Sequence, residues 1–219
     1  MHGYLSSSQS FAYQLSFFEK DFNVFCPDLK GCGKNQGMPY PYSLDDYINE
    51  VKAYMLGRGI ICPHVVAHSF GCRIVLKAVA QQPNLFDKLV LTGAAGLKPK
   101  LTAKKFIKRT TFNFLKKFIP KQKLTAFYSS DYNQLSPVMK QSFNKIINEN
   151  LDSYLPNVKN QTLLIFGDKD KQTPLYMAKR LNKGIINSTL SVYKGAGHFC
   201  FIDKSIKFNT EVREFLLSH

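Results

Sequence analysis

A hydroxyl becomes a nucleophile only when a base can take its proton and an acid holds that base in place. Three runs of this chain supply those residue types in a workable order. Val65-Val66-Ala67-His68-Ser69-Phe70-Gly71 drives a β-branched stretch into a serine, with an apolar helical pattern directly behind it. Small residues two before and two after the serine, here Ala67 and Gly71, let such a strand-to-helix elbow close tightly. Alanine stands where the motif is usually written with its first glycine. Thr162-Leu163-Leu164-Ile165-Phe166-Gly167-Asp168-Lys169-Asp170 then brings an acid behind a strand, and Gly195-Ala196-Gly197-His198-Phe199 brings a histidine in a glycine-rich loop. Taken singly, Ser69 reads as a helix cap, Asp170 as an acid ahead of Thr173-Pro174, and His198 as a surface histidine. Together, in the order serine, acid, histidine, they predict a triad of Ser69, Asp170 and His198. Asp170 is preferred because Asp168 follows Gly167 at the strand end, whereas Asp170 has the turn length to swing toward the histidine; Asp168 is the fallback. An oxyanion would be held by the amide of Phe70, just after the nucleophile, and by that of Tyr4, aimed by the turn that Gly3 permits.

Positioning these residues requires strands that end where the chemistry begins. The apolar runs predict strands at 22–29, 63–68, 88–93, 162–167 and 188–193. Helical spacing predicts helices at 8–20, about 70–82, 174–183 and 207–217. A further helix opens on a Ser43/Asp46 capping box, carries Leu44, Tyr47, Ile48, Val51 and Met55 on one face, and stops at Gly57. Strand and helix alternate, so the expected fold class is α/β, a mostly parallel sheet with helices on both faces. The stretch 97–158 is too long for a crossover helix alone. It is expected to form a helical cap subdomain over the carboxyl edge of the sheet, with residues 1–96 and 159–219 as the core. Phe106, Phe112, Phe114 and Phe118 would line an acyl pocket beneath it.

Composition narrows the classes further. With 44% apolar and 21% charged residues the chain is neither disordered nor low-complexity. Its apolar runs fall far short of a membrane span, and the first residues show neither a basic leader nor an apolar signal core, so a cytoplasmic location is expected. Five cysteines without C-x-x-C spacing are expected to be reduced. The formal net charge is +15, concentrated between Lys98 and Lys123, where no acid occurs. No nucleic-acid motif accompanies that segment, and a solvated face is the simplest reading of it.

HGYLSS, DLKGCGKN, AHSFG, GDKD and GAGHF, in this order along essentially the whole chain, resemble the α/β-hydrolase fold superfamily in its cap-bearing bacterial branch. The resemblance implies an eight-stranded sheet, a Ser-His-Asp triad, a small-molecule acyl substrate, and no metal or organic cofactor. It leaves the oligomeric state open. It does not fix a substrate, because one fold hosts many activities. Serine at position 69 disfavours a dehalogenase, and the absence of tryptophan disfavours a peroxidase. The expected activity is hydrolysis of carboxylic esters or thioesters through an acyl-enzyme. The alternatives are carbon-carbon cleavage or elimination on an anionic substrate by the same residues, or a catalytically impaired, shortened homologue. The last arises because the resemblance implies an apolar interior strand running into His2-Gly3, between 22–29 and 63–68, where this sequence has only Met1; a longer natural chain is expected on that ground.

Overall fold

The computed structural model describes residues 1–99, 132 and 135–218. Four strands, β1 (Val65–His68), β2 (Leu89–Thr92), β3 (Thr162–Gly167) and β4 (Ser188–Tyr193), form one parallel sheet in the order β1-β2-β3-β4. The register pairs Val65 with Leu89, Leu89 with Thr162 and Thr162 with Ser188. Strands β2 and β3 are apolar at nearly every position because helices cover both faces, leaving no position facing solvent.

Side chains alternate across a strand, and the alternation sorts them into two cores. On one face Ala67, Leu89, Leu91, Leu164 and Phe166 pack against α2 (Leu44–Leu56), α3 (Phe70–Gln81) and α5 (Leu175–Gly184). On the other, Val90, Leu163 and Ile165 meet Phe11 and Phe18, from the short α1 (Ala12–Phe18) and the 3-10 turn before it, with Phe201 of α6 (Cys200–Asp203) and Phe208 and Val212 of α7 (Ser205–Leu217). Burying a phenylalanine such as Phe208 stabilises the fold by about 1.5–3 kcal/mol. The capping box at the start of α2 forms as its spacing predicts: Ser43 Oγ accepts from the Asp46 amide and Asp46 Oδ2 accepts from the Ser43 amide.

Within 97–158 the described residues form α4 (Pro137–Asn148), opened by Ser136 as its cap, and a 3-10 turn at Asp152–Asn157. The two ends of the excursion meet where the Leu151 amide donates to Gly96 O at 3.0 Å. Phe106, Phe112, Phe114 and Phe118, and the basic residues from Lys100 to Lys123, lie outside the described residues. All five cysteines are unbridged, and no helix among the described residues is long and apolar enough to cross a membrane.

Two expectations are corrected. The sheet has four strands among the described residues rather than eight, and 22–29 is extended chain without a ladder. A strand exists only through its hydrogen-bonded partner. Here the outer edge of β1 is met by Met1, whose amine donates to Val66 O at 2.6 Å and whose carbonyl accepts from the His68 amide at 3.0 Å. An apolar cavity of about 340 Å³, lined by Phe22, Val24 and Cys26 on one side and Val65 and Val66 on the other, separates 22–27 from β1.

Candidate active site

In an open parallel sheet, ligands bind beyond the carboxyl ends of the strands. Ser69 follows β1 there, Asp170 follows β3 and His198 follows β4. Ser69 is held at φ 50°, ψ −105°, a left-handed conformation costing about 1–3 kcal/mol for a residue with a side chain. Its backbone is fixed from several directions: its amide donates to Thr92 O at 3.0 Å, and its carbonyl accepts from Cys72 and Ala95. This elbow depends on the glycine two residues on. A Cβ at Gly71 would lie 2.7 Å from Met1 O and 2.9 Å from His2 O, so only glycine lets residues 1–2 pass so close to the start of α3.

The two aspartates have different partners. Asp170 Oδ2 lies 2.8 Å from His198 Nδ1, with the carboxylate side chain fully buried. Its Oδ1 accepts from the Gln172 and Thr173 amides, and Oδ2 also from Thr173 Oγ1 at 2.7 Å. Burial works to raise its pKa, but the bonds from His198 and Thr173 outweigh burial and hold the carboxyl below its ordinary range. Asp168 turns the other way, its Oδ1 accepting from the Gly195 amide, and fastens the loop that carries the histidine. With Nδ1 facing a carboxylate, the neutral imidazole carries its proton there and leaves Nε2 bare.

A cavity of about 230 Å³ opens over these groups, lined by Ser69 and His198, by Gly3, Tyr4 and Phe70, and on its far wall by Phe143, Ile146 and Ile147. Ser69 Oγ makes no hydrogen bond among the described residues; such bonds often tighten only in the substrate complex. The amides of Tyr4 and Phe70 are left unused by the fold among the described residues. Residues 2–4 are firmly placed: His2 is fully buried, its Nε2 accepting from the Leu29 amide and its Nδ1 donating to Gly3 O. The Tyr4 ring packs edge-on to Phe70, and its hydroxyl donates to Met139 O of α4 at 3.0 Å.

Three residues of the site escape sequence reasoning. His68 is buried, donates from Nε2 to His198 O at 3.1 Å and stands ring to ring with His198 at 4.7 Å. Thr173 fixes Asp170. Arg73 lines the cavity from α3. Only Arg73 left a signal, a cation just ahead of the apolar run Ile74-Val75-Leu76. Among the described residues no cluster of histidine, cysteine or acid side chains could hold a metal ion.

A parallel sheet with a strained serine elbow at its carboxyl edge and a buried His-Asp pair beside it defines a class of α/β hydrolases. The family model for the alpha/beta hydrolase fold matches residues 1–114, and one described as TAP-like protein matches 141–219. The chain belongs to the α/β-hydrolase fold family, and it is a hydrolase. It is 24% identical over 246 aligned positions to the AB hydrolase superfamily protein YisY of Bacillus subtilis, covering 98% of this chain and 89% of that protein. It is 23% identical to the 2-hydroxymuconate semialdehyde hydrolase of Pseudomonas putida, covering 88% of this chain and 76% of that one. Among solved structures it is similar to an esterase from Exiguobacterium antarcticum (TM-score 0.79, 22% identity, 100% of this chain and 90% of that chain). It is also similar to a meta-cleavage product hydrolase from Pseudomonas fluorescens (TM-score 0.74, 22% identity, 98% and 88%).

Proposed function

We propose that the protein is a serine hydrolase acting on carboxylic esters or thioesters through an acyl-enzyme. The observation that carries this reading is the 2.8 Å bond between Asp170 Oδ2 and His198 Nδ1, beside the cavity that Ser69 shares with His198. Ser69 Oγ attacks the carbonyl carbon and its proton passes to His198 Nε2. Asp170 stabilises the imidazolium. The oxyanion takes hydrogen bonds from the Tyr4 and Phe70 amides, each worth about 10²–10³ in rate. Collapse of the intermediate expels the alcohol or thiol, which takes the proton from His198, and water then releases the acid by the same steps. The segment around α4 acts in this reading as part of a helical cap over the cavity.

The test is labelling with a fluorophosphonate probe alongside hydrolysis of a short acyl ester. Wild type is expected to be labelled at Ser69 and to turn over, and Ser69→Ala to lose the label and about 10⁴-fold or more in rate. Unlabelled, inactive wild type, or turnover surviving in Ser69→Ala, would sink the proposal. The similarity to two proteins named for hydroxymuconate and meta-cleavage chemistry favours a second reading, carbon-carbon hydrolysis by the same residues. An anionic dienone assayed beside the ester separates the two.

A further inference from the structure

We infer that Arg73 reads a carboxylate on the substrate, so that the enzyme favours half-esters of short dicarboxylic acids. This rests on the serine hydrolase reading above. Arg73 sits one helical turn beyond Ser69 on α3, and side chains on a helix lean toward its N-terminus. That lean carries the guanidinium back toward the nucleophile, where Arg73 lines the same cavity while only 8% exposed.

Its hydrogen bonds leave capacity unspent. Nη1 donates to Ile146 O at 2.9 Å and to Glu149 O at 3.0 Å, using both of its hydrogens at the carboxyl end of α4. A guanidinium has five N–H donors. The three on Nε and Nη2 have no acceptor among the described residues. Nor is a carboxylate at ion-pair distance: Glu149 and Asp45 both turn to Lys77, at 2.6 and 2.8 Å from its Nζ. Arg73 is a largely buried cation held by two carbonyls, with the Glu149 charge near but its carboxylate bonded to Lys77; its free fork edge is open to a further anion, and its planar geometry matches a carboxylate. Phe143, Ile146 and Ile147 line the same cavity and give it an apolar side next to the guanidinium.

Size and spacing narrow the ligand. Four residues of helix rise about 6 Å between the Ser69 and Arg73 backbones. With the side chain leaning back along the helix, a backbone rise of that order keeps an anion on Arg73 within a few bonds of the carbonyl attacked by Ser69, which is the reach of a short dicarboxylic half-ester. A succinyl or glutaryl group fits a cavity of about 230 Å³.

The experiment compares monomethyl glutarate with methyl valerate, its neutral counterpart of equal chain length, by acid release in a pH-stat. Wild type is expected to prefer the glutarate ester. In Arg73→Gln the ratio of kcat/KM for the anionic over the neutral ester is expected to fall at least tenfold, mostly through KM, and Arg73→Lys to recover part of it. Because Arg73 also holds α4, Arg73→Gln could unfold; wild type alone then decides, with free glutarate expected to bind at least tenfold tighter than neutral glutaramide by calorimetry. Equal loss on both esters would reduce Arg73 to a clamp for α4, and an unchanged ratio, or equal binding of acid and diamide, would overturn the inference outright. Fluorophosphonate labelling separates the two claims. Ser69 labelled without anion preference sinks this inference alone, whereas unlabelled wild type sinks the serine hydrolase reading.

Discussion

Asp168 and Asp170 stand two positions apart, and their different partners predict different costs. Asp170→Asn is expected to lower kcat by about 10⁴, as when the histidine of a triad is left in the wrong tautomer. Asp168→Asn keeps an amide oxygen that can accept from the Gly195 amide, and is expected to cost little by comparison; steady-state kinetics on a short ester give the ranking, and the reverse order would mean the wrong aspartate carries the histidine. His68 contributes at the same scale through protonation. Burial, and then the charge of His198, pull its pKa from 6.5 down to about 3. Below pH 6.5 the unfolded chain takes up a proton that the folded chain refuses until about pH 3, so stability falls with pH across that interval, by up to about 1.4 kcal/mol per pH unit. His2, also lowered chiefly by burial, adds slope of the same sign. His68→Gln is expected to show a shallower loss of unfolding free energy between pH 6.5 and 4.5, measured by urea titration. The strained turn at Ser69 and the pairing of Asp170 with His198 were readable because each residue sits in a local motif. His68 was not, because what it does depends on a carbonyl 130 positions away.

The helices and strands that hold the site differ in how local their causes are. The α2 cap is self-contained, so it was legible in four consecutive residues. Ser43→Ala is expected to cost about 1 kcal/mol and to lower Tm by about 2–4 °C, read by calorimetry. The extended run 22–29 has a strand's composition and yet is no strand, since the ladder that would make it one lies outside its own sequence. The junction of α3 with residues 1–4 is decided by close approach. Gly71→Ala would press a methyl group against the Met1 and His2 carbonyls and shift Tyr4 with them. Ester turnover is expected to fall by up to about 10²–10³, the cost of a misplaced oxyanion donor, with the circular dichroism spectrum unchanged. Full activity in this variant would show that residues 1–4 do not set the oxyanion site.

At the scale of the whole molecule, the alternation of strand and helix made the parallel sheet legible, because its layers follow from connectivity and apolar patterning. The number of strands was not, since the expectation of eight came from resemblance rather than from residues. A formal charge of +15 sets up a field extending about a Debye length from the surface, near 10 Å at 0.1 M salt. For anionic esters kcat/KM is expected to fall as sodium chloride rises from 20 to 500 mM, and for neutral esters to stay nearly constant. Equal salt responses would remove the field from the account. The strand register carries a kinetic consequence as well. Strands β1 and β2, and likewise β3 and β4, join partners about 25 residues apart, whereas Leu89 and Thr162 are separated by about 70, a closure costing about 1 kcal/mol more. During refolding the sheet should therefore assemble as two pairs that dock late. In pulsed hydrogen exchange the amides of Leu89 and Gly93, bonded across the β2–β3 seam, should gain protection after those of Val65 and Ser69 on one side and Thr162 and Asp168 on the other.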